Sequence, residues 1–346
     1  MNKKTIEKAA ALRRLWSAFW QARPLLTAVN FGLFEHTKTG ASARQVAGRI
    51  KADPRATGIL MDALAGLGLL KKSGEKSKYR NSTESIYRNT EEAGLFLVKD
   101  SPYYQGAIVR HADNLWRSWS QLDESLRTGK PAPRESGEFS LDAFIMGMHN
   151  LAALRAGDII KAIGMKGVGS ALDLGGGPGT YSMEMARAGV GKVTLFDRAD
   201  VIKIAARNIK NQKKQKQENG VGNNGNIGFM KGDFNSDDFG GGYDLIFMSN
   251  ILHSNSYEQC EDLLGRARAA LNPGGRAAIN EFYLEDNRIA PLSGALFSIN
   301  MLVNTEAGCT YTHGELKGFL KKAGFRDIKA KVLFGDAIVV TGRVSG

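Results

Sequence analysis

A histidine follows the end of a predicted strand. Residues 243–248 form an apolar run that predicts a buried strand, and Asn250 and His253 come shortly after it. A histidine side chain with its usual pKa near 6.5 is mostly neutral at pH 7, so it can take a proton from an acidic hydroxyl. His253 is therefore a candidate general base. The alternative is a structural histidine that caps the strand.

A glycine-rich turn follows another apolar strand, predicted at residues 171–174. Gly175, Gly176, Gly177 and Gly179 lack a Cβ atom, so the backbone can turn sharply and a ligand can approach it closely. The helix predicted after the turn has unpaired N–H groups at its start. In an open α/β sheet, a nucleotide-like ligand is expected here, outside the carboxyl ends of the strands. A turn that binds no ligand is the alternative.

The turn departs from the dinucleotide fingerprint G-x-G-x-x-G. Gly175 and Gly177 supply its first two glycines, but Thr180 stands in place of the third. Asp173 precedes the turn, and a carboxylate there suits a ligand with a cationic end better than it suits a pyrophosphate. S-adenosylmethionine (SAM) carries a sulfonium and an ammonium, so the turn predicts SAM as the cofactor.

Two further strand ends offer contacts for the rest of such a cofactor. Asp197 ends the apolar run 193–197, where a carboxylate can bind ribose hydroxyls. Asp233 and Phe234 follow a third predicted strand and offer an acid and an aromatic ring for an adenine. Three such elements in order, each at a strand end, favour a nucleoside cofactor over an empty turn.

The elements that position these residues alternate between strands and helices after residue 170. We predict strands near residues 171–174, 192–196, 227–231, 243–248, 276–281, 328–333 and 337–342. Because the first five alternate with helices, they predict a parallel sheet. A tight turn at Gly335 and Asp336 joins the last two strands and predicts an antiparallel pair. The fold class is therefore α/β, with a seven-stranded mixed sheet.

Residues 1–100 are predicted to be mostly helical. Leu12, Trp16, Phe19 and Trp20 follow the i, i+4, i+7, i+8 spacing of one helical face. Residues 101–165 are predicted as a helical connector, which leaves 166–346 for the α/β domain.

A three-helix and hairpin pattern lies within the first 100 residues. Asp53 is suited to cap a helix that has Pro54 in its first turn, and a hairpin strand is predicted at residues 79–80. This pattern is typical of a winged helix. The candidate recognition helix offers only Arg55 and Asp62 for contacts with bases, so DNA recognition is disfavoured.

The composition excludes several classes of protein. The hydrophobic fraction of 42% with 24% charged residues indicates a globular protein without membrane insertion, since no apolar run is long enough to span a bilayer. Cys260 and Cys309 provide no disulfide framework, which favours the cytoplasm. The N-terminus lacks the apolar core of a secretory signal. The histidines do not lie at metal-ligand spacing, so no metal is expected.

The net charge of +12 leaves a nucleic-acid-binding interpretation open, but the basic residues are scattered. Their one dense cluster lies at residues 210–216, at the start of the polar, glycine-rich stretch 211–226. We predict a mobile surface loop over 210–226.

These motifs resemble those of the SAM-dependent class I O-methyltransferases that act on small molecules, such as the caffeic acid and acetylserotonin enzymes. The resemblance covers nearly the whole chain. It rests on residues 173–177, Asp197, residues 232–234 and the loop 271–276 before the fifth strand. It implies a winged-helix-like dimerisation domain, a Rossmann-like SAM domain, a homodimer and a small, aromatic, hydroxylated acceptor.

The resemblance also implies roles for individual residues. It identifies His253 as the general base, Glu281 as an acid that orients this base, and Ser249 as a contact to the cofactor. The implied substrate pocket is lined by side chains from two predicted helices: Phe144, Met148, Asn300, Met301 and Asn304. For any one of these, a place in the interdomain core is the alternative.

The sequence departs from the family pattern in two places. Ser254 and Asn255 follow the histidine where the family often has Asp-Trp, and Thr310 stands where a second flanking acid is expected. Glu306 is close in sequence but does not match that position. Methylation of carbon or nitrogen, or altered SAM chemistry, therefore stays open as an alternative, as does a SAM-sensing DNA-binding regulator.

Overall fold

The computed structural model describes residues 2–74, 85–133, 140–218 and 226–346, with no side chains described for 215–218. The chain divides into two compact units, Met1–Asp113 and Asn114–Gly346. The division falls within the helix α7, Gly106–Ser120.

The first unit contains helices and a small antiparallel sheet. Its helices are α1 (Lys3–Trp16), α2 (Phe19–Asn30), α3 (Leu33–His36), α4 (Ala43–Ile50), α5 (Pro54–Gly66) and α6 (Glu91–Phe96). Its strands β1 (Ala41–Ser42), β2 (Leu70–Ser73) and β3 (Ile86–Asn89) lie in the order β1-β3-β2. Oδ1 of Asp53 accepts a hydrogen bond from the Ala56 N–H at 2.8 Å, which confirms the predicted start of α5. The strand predicted at 79–80 lies outside the described residues.

The predicted single helical face near the N-terminus is interrupted. The helix α1 ends at Trp16, and α2 begins only at Phe19. The Ser17 hydroxyl donates to the Arg13 carbonyl at 2.8 Å, a local hydrogen bond of the kind that competes with helix continuation.

The second unit is built on a seven-stranded mixed sheet, as predicted. Its strands are β4 (Ser170–Leu174), β5 (Lys192–Asp197), β6 (Asn226–Lys231), β7 (Tyr243–Ser249), β8 (Leu271–Phe282), β9 (Arg326–Leu333) and β10 (Ala337–Arg343). They lie in the order β6-β5-β4-β7-β8-β10-β9. The first five are parallel, and β10 pairs antiparallel with both β8 and β9.

The strand β8 begins earlier than predicted. The resemblance implies a loop over 271–276, but Leu271 pairs with Tyr243. The register then shifts before Arg276 pairs with Leu245, so the extra residues form an irregularity within the strand pair.

Helices pack on both faces of this sheet. The helices of the second unit are α8 (Leu122–Thr128), α9 (Leu141–Ala153), α10 (Ala156–Ile163), α11 (Thr180–Arg187), α12 (Ala199–Glu218), α13 (Tyr257–Ala270), α14 (Leu292–Asn304) and α15 (His313–Lys322), and α8 and α9 pack against other helices. Leu172 and Ile246 face a core shared with α13 and α15, while Ala171 and Leu245 face one shared with α10 and α11. Because neighbouring side chains of a strand point to opposite faces, both faces are buried and the carboxyl ends of the strands carry the polar groups.

The predicted surface loop over 210–226 is wrong over its first half. The helix α12 continues to Glu218, and β6 begins at Asn226. Lysine, glutamine and glutamate are good helix formers, which accounts for the continuation of the helix through the polar stretch. Residues 219–225 lie outside the described residues. Within the described ranges, no helix is long and apolar enough to cross a membrane.

Candidate active site

The glycine turn lies over the carboxyl ends of β4 and β5. Gly175, Gly177 and Gly179 have φ values of 67°, 51° and 77°, in the left-handed region that favours glycine. A Cβ atom on Gly175 would lie 2.7 Å from Cγ2 of Ile251, so a side chain there has no room. The Gly175 N–H donates to the Phe196 carbonyl at 2.9 Å, which ties the turn to β5.

Asp197 holds the turn from the neighbouring strand. Its Oδ2 accepts a hydrogen bond from the Gly177 N–H, and its Oδ1 accepts one from the Arg198 N–H, both at 2.8 Å. Burial raises the pKa of the Asp197 carboxyl, and these two N–H groups oppose that shift. The structure thus brings together Gly177 and Asp197, which were predicted separately from the sequence.

Asp173 lies beneath the turn, with a side chain that is almost fully buried. Its Oδ2 accepts a hydrogen bond from the Ser182 hydroxyl at 2.6 Å. Burial raises the pKa of Asp173 to about 7, and the nearby charge of Asp197 adds to the shift. A Cβ atom on Gly176 would lie 3.0 Å from this carboxyl group, so Asp173 packs directly against the turn. Its contact with a cofactor stays a prediction.

The segment after β6 adjoins the same turn. Cε1 of Phe234 lies 3.6 Å from the place where a Cβ on Gly175 would stand. The Asp233 side chain is exposed, and its Oδ1 accepts from the Asn235 N–H at 2.9 Å. Phe234 thus adjoins the glycine turn, and Asp233 is its exposed neighbour in the chain.

Ser249 ends β7 between two polar neighbours. Its Oγ accepts a hydrogen bond from the Asn280 amide at 2.9 Å and is also hydrogen-bonded to Tyr181. Burial raises the pKa of Tyr181 to about 12, so this phenol stays neutral. Ser249 therefore connects β7 and β8 with the helix that follows the glycine turn.

His253 and Glu281 form a hydrogen-bonded pair. His253 lies in the short 3-10 helix Leu252–Ser254 after β7, and Glu281 lies near the carboxyl end of β8. His253 Nδ1 is 2.7 Å from Glu281 Oε2, and the His253 backbone N–H donates to Oε1 at 3.3 Å. The side chains are only 11% and 4% exposed.

This pairing fixes the state of the imidazole. A carboxylate can only accept, so Nδ1 carries a proton and Nε2 is the ring nitrogen that faces away from Glu281. Among the described residues, Nε2 of His253 has no hydrogen-bond partner. His253 can therefore take a proton at Nε2, and Glu281 can stabilise the resulting charge.

Two aromatic rings beside His253 were missed in the sequence. Phe282 and Phe297 stack with ring centroids 3.7 Å apart. Phe297 also packs edge-on against the His253 ring at 4.9 Å, and Phe282 does so at 5.9 Å. Both phenylalanines are partly exposed, so they form a flat apolar wall beside the base. The available signal was the position of Phe297 one helical turn before Met301.

A second carboxylate is not hydrogen-bonded to His253 in the described part of the chain. The Thr310 hydroxyl donates to the Gly294 carbonyl at 2.9 Å and so serves the packing of α14. The Glu306 side chain is exposed. A Cβ atom on Gly308 would lie 2.3 Å from the His253 carbonyl oxygen, so this segment approaches the histidine with backbone alone.

The two residues after His253 close the local turn. The Ser254 hydroxyl and the Asn255 amide both donate to the Ile251 carbonyl, at 2.8 Å and 3.0 Å. The buried Asn255 Oδ1 accepts from the Asn235 amide at 3.1 Å. Asn255, one of the two residues that depart from the family pattern, therefore links the segment of His253 to the segment after Asp233.

The predicted pocket residues lie on α9 and α14. Phe144 and Met148 are partly exposed on α9, and Phe144 packs against a small cluster around Ile145. On α14, Oδ1 of Asn300 accepts hydrogen bonds from Trp119 Nε1 at 3.0 Å and from the Asn304 amide at 3.1 Å. Met301 is buried next to Asn300 on the same helix. The role of these five residues toward a substrate stays a prediction.

The residues of the turn fit SAM. The glycines keep the backbone of the turn free of side chains. The buried carboxyl of Asp173 lies under the turn, the half-buried carboxyl of Asp197 lies beside it, and the Phe234 ring adjoins it. In the described ranges, no group of three or more histidine, cysteine, aspartate or glutamate side chains is placed to hold a metal ion.

Known proteins with similar sequences carry the same two-part organisation. The family model of the O-methyltransferase domain matches residues 132–326, and that of the O-methyltransferase dimerisation domain matches residues 14–99. A 3-hydroxy-5-methyl-1-naphthoate 3-O-methyltransferase from Streptomyces sahachiroi is 29% identical over 330 residues, or 92% of this chain and 90% of that protein. A tetracenomycin polyketide synthesis 8-O-methyltransferase from Streptomyces glaucescens is 28% identical over 341 residues, or 95% of each chain.

A solved structure gives the same result. Human N-acetylserotonin methyltransferase in complex with SAM superposes with a TM-score of 0.85 at 25% identity, covering 100% of both chains. The fold expected from the resemblance, a Rossmann-like SAM domain with a dimerisation domain, is thereby confirmed. This chain belongs to the O-methyltransferase family and is a SAM-dependent enzyme of that family.

Proposed function

We propose that this enzyme transfers a methyl group from SAM to a hydroxyl of a small aromatic molecule, with His253 as the general base. The observation that carries the proposal is the 2.7 Å contact between His253 Nδ1 and Glu281 Oε2. This contact directs the basic Nε2 away from Glu281, where it can accept the hydroxyl proton of an acceptor.

His253 takes the proton from the acceptor hydroxyl at Nε2, while Glu281 stabilises the imidazolium through Nδ1–H. SAM, when bound, supplies a methyl group on a cationic sulfur that an oxygen nucleophile can attack. The chain holds the reactants in line and excludes water, and such positioning contributes much of the rate in reactions of this kind.

The cofactor is proposed to bind along the carboxyl ends of β4, β5 and β6. Gly175 and Gly177 provide the close surface, Asp197 the ribose contact, and Phe234 an apolar face for adenine. Asp173, which is buried beneath the turn, is proposed as a further contact to the cofactor. The remaining proposed contacts are Asp233, which follows β6, and Ser249, which ends β7.

An aromatic acceptor is supported by the surroundings of His253. The stacked rings of Phe282 and Phe297 offer a flat apolar surface next to the base. The names of two related enzymes refer to a hydroxynaphthoate and to acetylserotonin, both aromatic. The proposed pocket is completed by side chains of α9 and α14: Phe144, Met148, Asn300, Met301 and Asn304.

The test is methyl transfer from methyl-labelled SAM to a panel of hydroxynaphthoates, catechols and simple phenols, followed by NMR of the product. We expect the label on a phenolic oxygen. A label on carbon or nitrogen would contradict the proposal and favour the alternative that the residues after His253 leave open. Labelling of aliphatic alcohols in preference to all phenols would contradict the aromatic acceptor.

We also propose that the enzyme is a homodimer assembled through its N-terminal helices. No residue of α1 is buried, and six large apolar side chains on α1 and α2 are between 50% and 76% exposed: Ile6, Leu12, Leu15, Trp16, Phe19 and Trp20. Large apolar side chains exposed at this density are typical of a surface that binds another protein. The dimerisation-domain match, from residue 14 onward, makes a second copy of the chain the expected partner.

Sedimentation equilibrium tests the dimer. The chain is expected at twice its mass of 37.5 kDa, and Leu12→Glu with Trp16→Glu is expected to shift it to the monomer. A Lys8→Glu variant on the same helix is the control for the added charge. A wild-type chain that stays monomeric at micromolar concentration would contradict the proposal.

A further inference from the structure

Side chains of three helices meet at the imidazole of His149, a residue that has no role in the proposed function. His149 lies on α9, next to Met148, and its Nδ1 is 2.8 Å from the Thr180 hydroxyl of α11. Its Nε2 is 3.4 Å from the amide nitrogen of Gln212 on α12. A second α12 side chain, Asn208, lies 3.5 Å from Nδ1 through its amide nitrogen.

The ring is neutral and its two nitrogens have distinct roles. Burial lowers the pKa of His149, so the imidazole is uncharged at pH 7. Nε2 faces the amide nitrogen of Gln212. Nδ1 is hydrogen-bonded to the hydroxyl of Thr180, whose side chain is only 4% exposed.

Thr180 and its neighbours form the last part of the glycine turn. Thr180 is the first residue of α11, directly after Gly179, and Asn208 donates to the Pro178 carbonyl at 2.9 Å. On its other side, the turn is held by Asp197 through the Gly177 N–H. The turn is thus clamped between β5 and the pair formed by α9 and α12.

We infer that His149 is a positioning residue that couples the cofactor turn to α9, so that SAM binding orders the helix that carries Phe144 and Met148. The inference rests on the proposed function in that α9 lines the acceptor pocket. A direct side-chain hydrogen bond joins α9 to the turn through His149 and Thr180, so a turn ordered by SAM orders α9 as well. By linkage, an acceptor that orders α9 strengthens SAM binding by the same factor.

The experiment measures SAM affinity by calorimetry and amide hydrogen exchange with and without SAM. In the wild-type enzyme, we expect SAM to slow exchange both in residues 175–187 and in residues 141–153. In His149→Phe, which keeps the ring but not its hydrogen bonds, SAM affinity should fall about 10-fold, the scale of one or two hydrogen bonds. In this variant, SAM should still slow amide exchange in residues 175–187 but should no longer slow it in residues 141–153. Equal protection of 141–153 in both proteins would overturn the inference.

Two further variants separate coupling from simple damage. Thr180→Val removes the hydroxyl with little change in shape and should reproduce His149→Phe, and the double variant should be no worse than either. His149→Asn places an amide, which can donate or accept a hydrogen bond, near the position of Nδ1 and should recover most of the α9 protection. The inference would be overturned if the losses of SAM affinity in His149→Phe and Thr180→Val added up in the double variant. It would also be overturned if His149→Asn lost as much α9 protection as His149→Phe, because either result would assign the effect to packing.

The acceptor is not needed for these readouts, so the two proposals fail separately. His253→Ala is expected to retain SAM affinity and α9 protection while it loses methyl transfer. If the wild-type enzyme shows SAM-dependent protection of α9 but methylates no phenol, the proposed function fails and the coupling stands. If the enzyme methylates phenols but SAM does not change amide exchange in α9, the proposed function stands and the coupling fails.

Discussion

Glu281 accepts hydrogen bonds from both the ring and the backbone N–H of His253, at 2.7 Å and 3.3 Å. One carboxylate therefore fixes the tautomer of the imidazole and also its position relative to the chain. Since β7 and β8 are parallel neighbours, their carboxyl ends bring the two residues together.

Glu281→Gln should lower kcat by about 10²-fold or more with little change in SAM affinity, because the amide keeps the shape of Glu281 but loses the charge that stabilises the imidazolium. Steady-state kinetics and calorimetry check this. Glu306→Gln is the matched control, since Glu306 is exposed, and it should keep wild-type kcat. A comparable loss in Glu306→Gln would mean that the second acid acts after all.

Phe297→Leu should lower kcat/KM for aromatic acceptors by about 3- to 10-fold, because aromatic pairs contribute about 0.5–1.5 kcal/mol beyond their buried area. The change removes both the stack on Phe282 and the edge contact to His253. The exposed Phe229 provides the control, Phe229→Leu. Unchanged kinetics in Phe297→Leu would exclude the aromatic wall from the acceptor site.

Gly175→Ala should weaken SAM binding and destabilise the fold by about 1–3 kcal/mol, the cost of a strained backbone position. The new Cβ would lie 2.7 Å from Ile251 Cγ2, at a φ of 67°. Gly189→Ala separates the strain of a positive φ from the steric clash of the new Cβ. Gly189 also has a positive φ, but its Cβ would meet no atom within 4 Å. Partial recovery in Gly175→Ala with Ile251→Ala is expected; SAM affinity equal to wild type in Gly175→Ala alone would contradict the proposed turn.

Asp173 should make the enzyme less stable as the pH rises. Its pKa is about 7 in the folded state against an ordinary value of 3.8, so the folded state binds the extra proton between these values. The stabilisation present at low pH is lost as the pH approaches 7. Between pH 5 and 7, this site should cost about 2 kcal/mol of unfolding free energy.

Urea denaturation of the SAM-free enzyme across pH 5–8 measures this, with Asp173→Asn as the comparison. The difference in unfolding free energy between variant and wild type should grow with pH over this range. A difference that is constant with pH would show that the Asp173 carboxyl is already ionised at pH 5.

Local sequence pattern places the proposed cofactor contacts more directly than the surroundings of His253. Gly175 and Phe234 follow strands and Asp197 ends one, so the pattern alone puts them at one edge of a parallel sheet. Phe297 could not be identified in this way, because its contact with His253 depends on how α14 packs against the end of β8. The apolar pattern of a helix predicts which face is buried. It does not predict which residue of that face contacts a side chain that is distant in sequence.

Elements of ambiguous composition were the other source of error. The polar stretch after Lys210 favours a loop by its low complexity and a helix by its residue types, and the helix continues to Glu218. The sequence pattern around His149 indicates no role for this residue. Its contacts with Thr180 and Gln212 join three helices and leave no trace in the local pattern.

The central claim is that His253 removes the proton from the acceptor. The most direct measurement is single-turnover methyl transfer from labelled SAM to the best phenolic acceptor, in wild type and in His253→Ala, with SAM affinity measured in both. We predict a loss of about 10²–10⁴-fold in the transfer rate, the contribution of a positioned base, at unchanged SAM affinity. Transfer at the wild-type rate in His253→Ala would contradict the account.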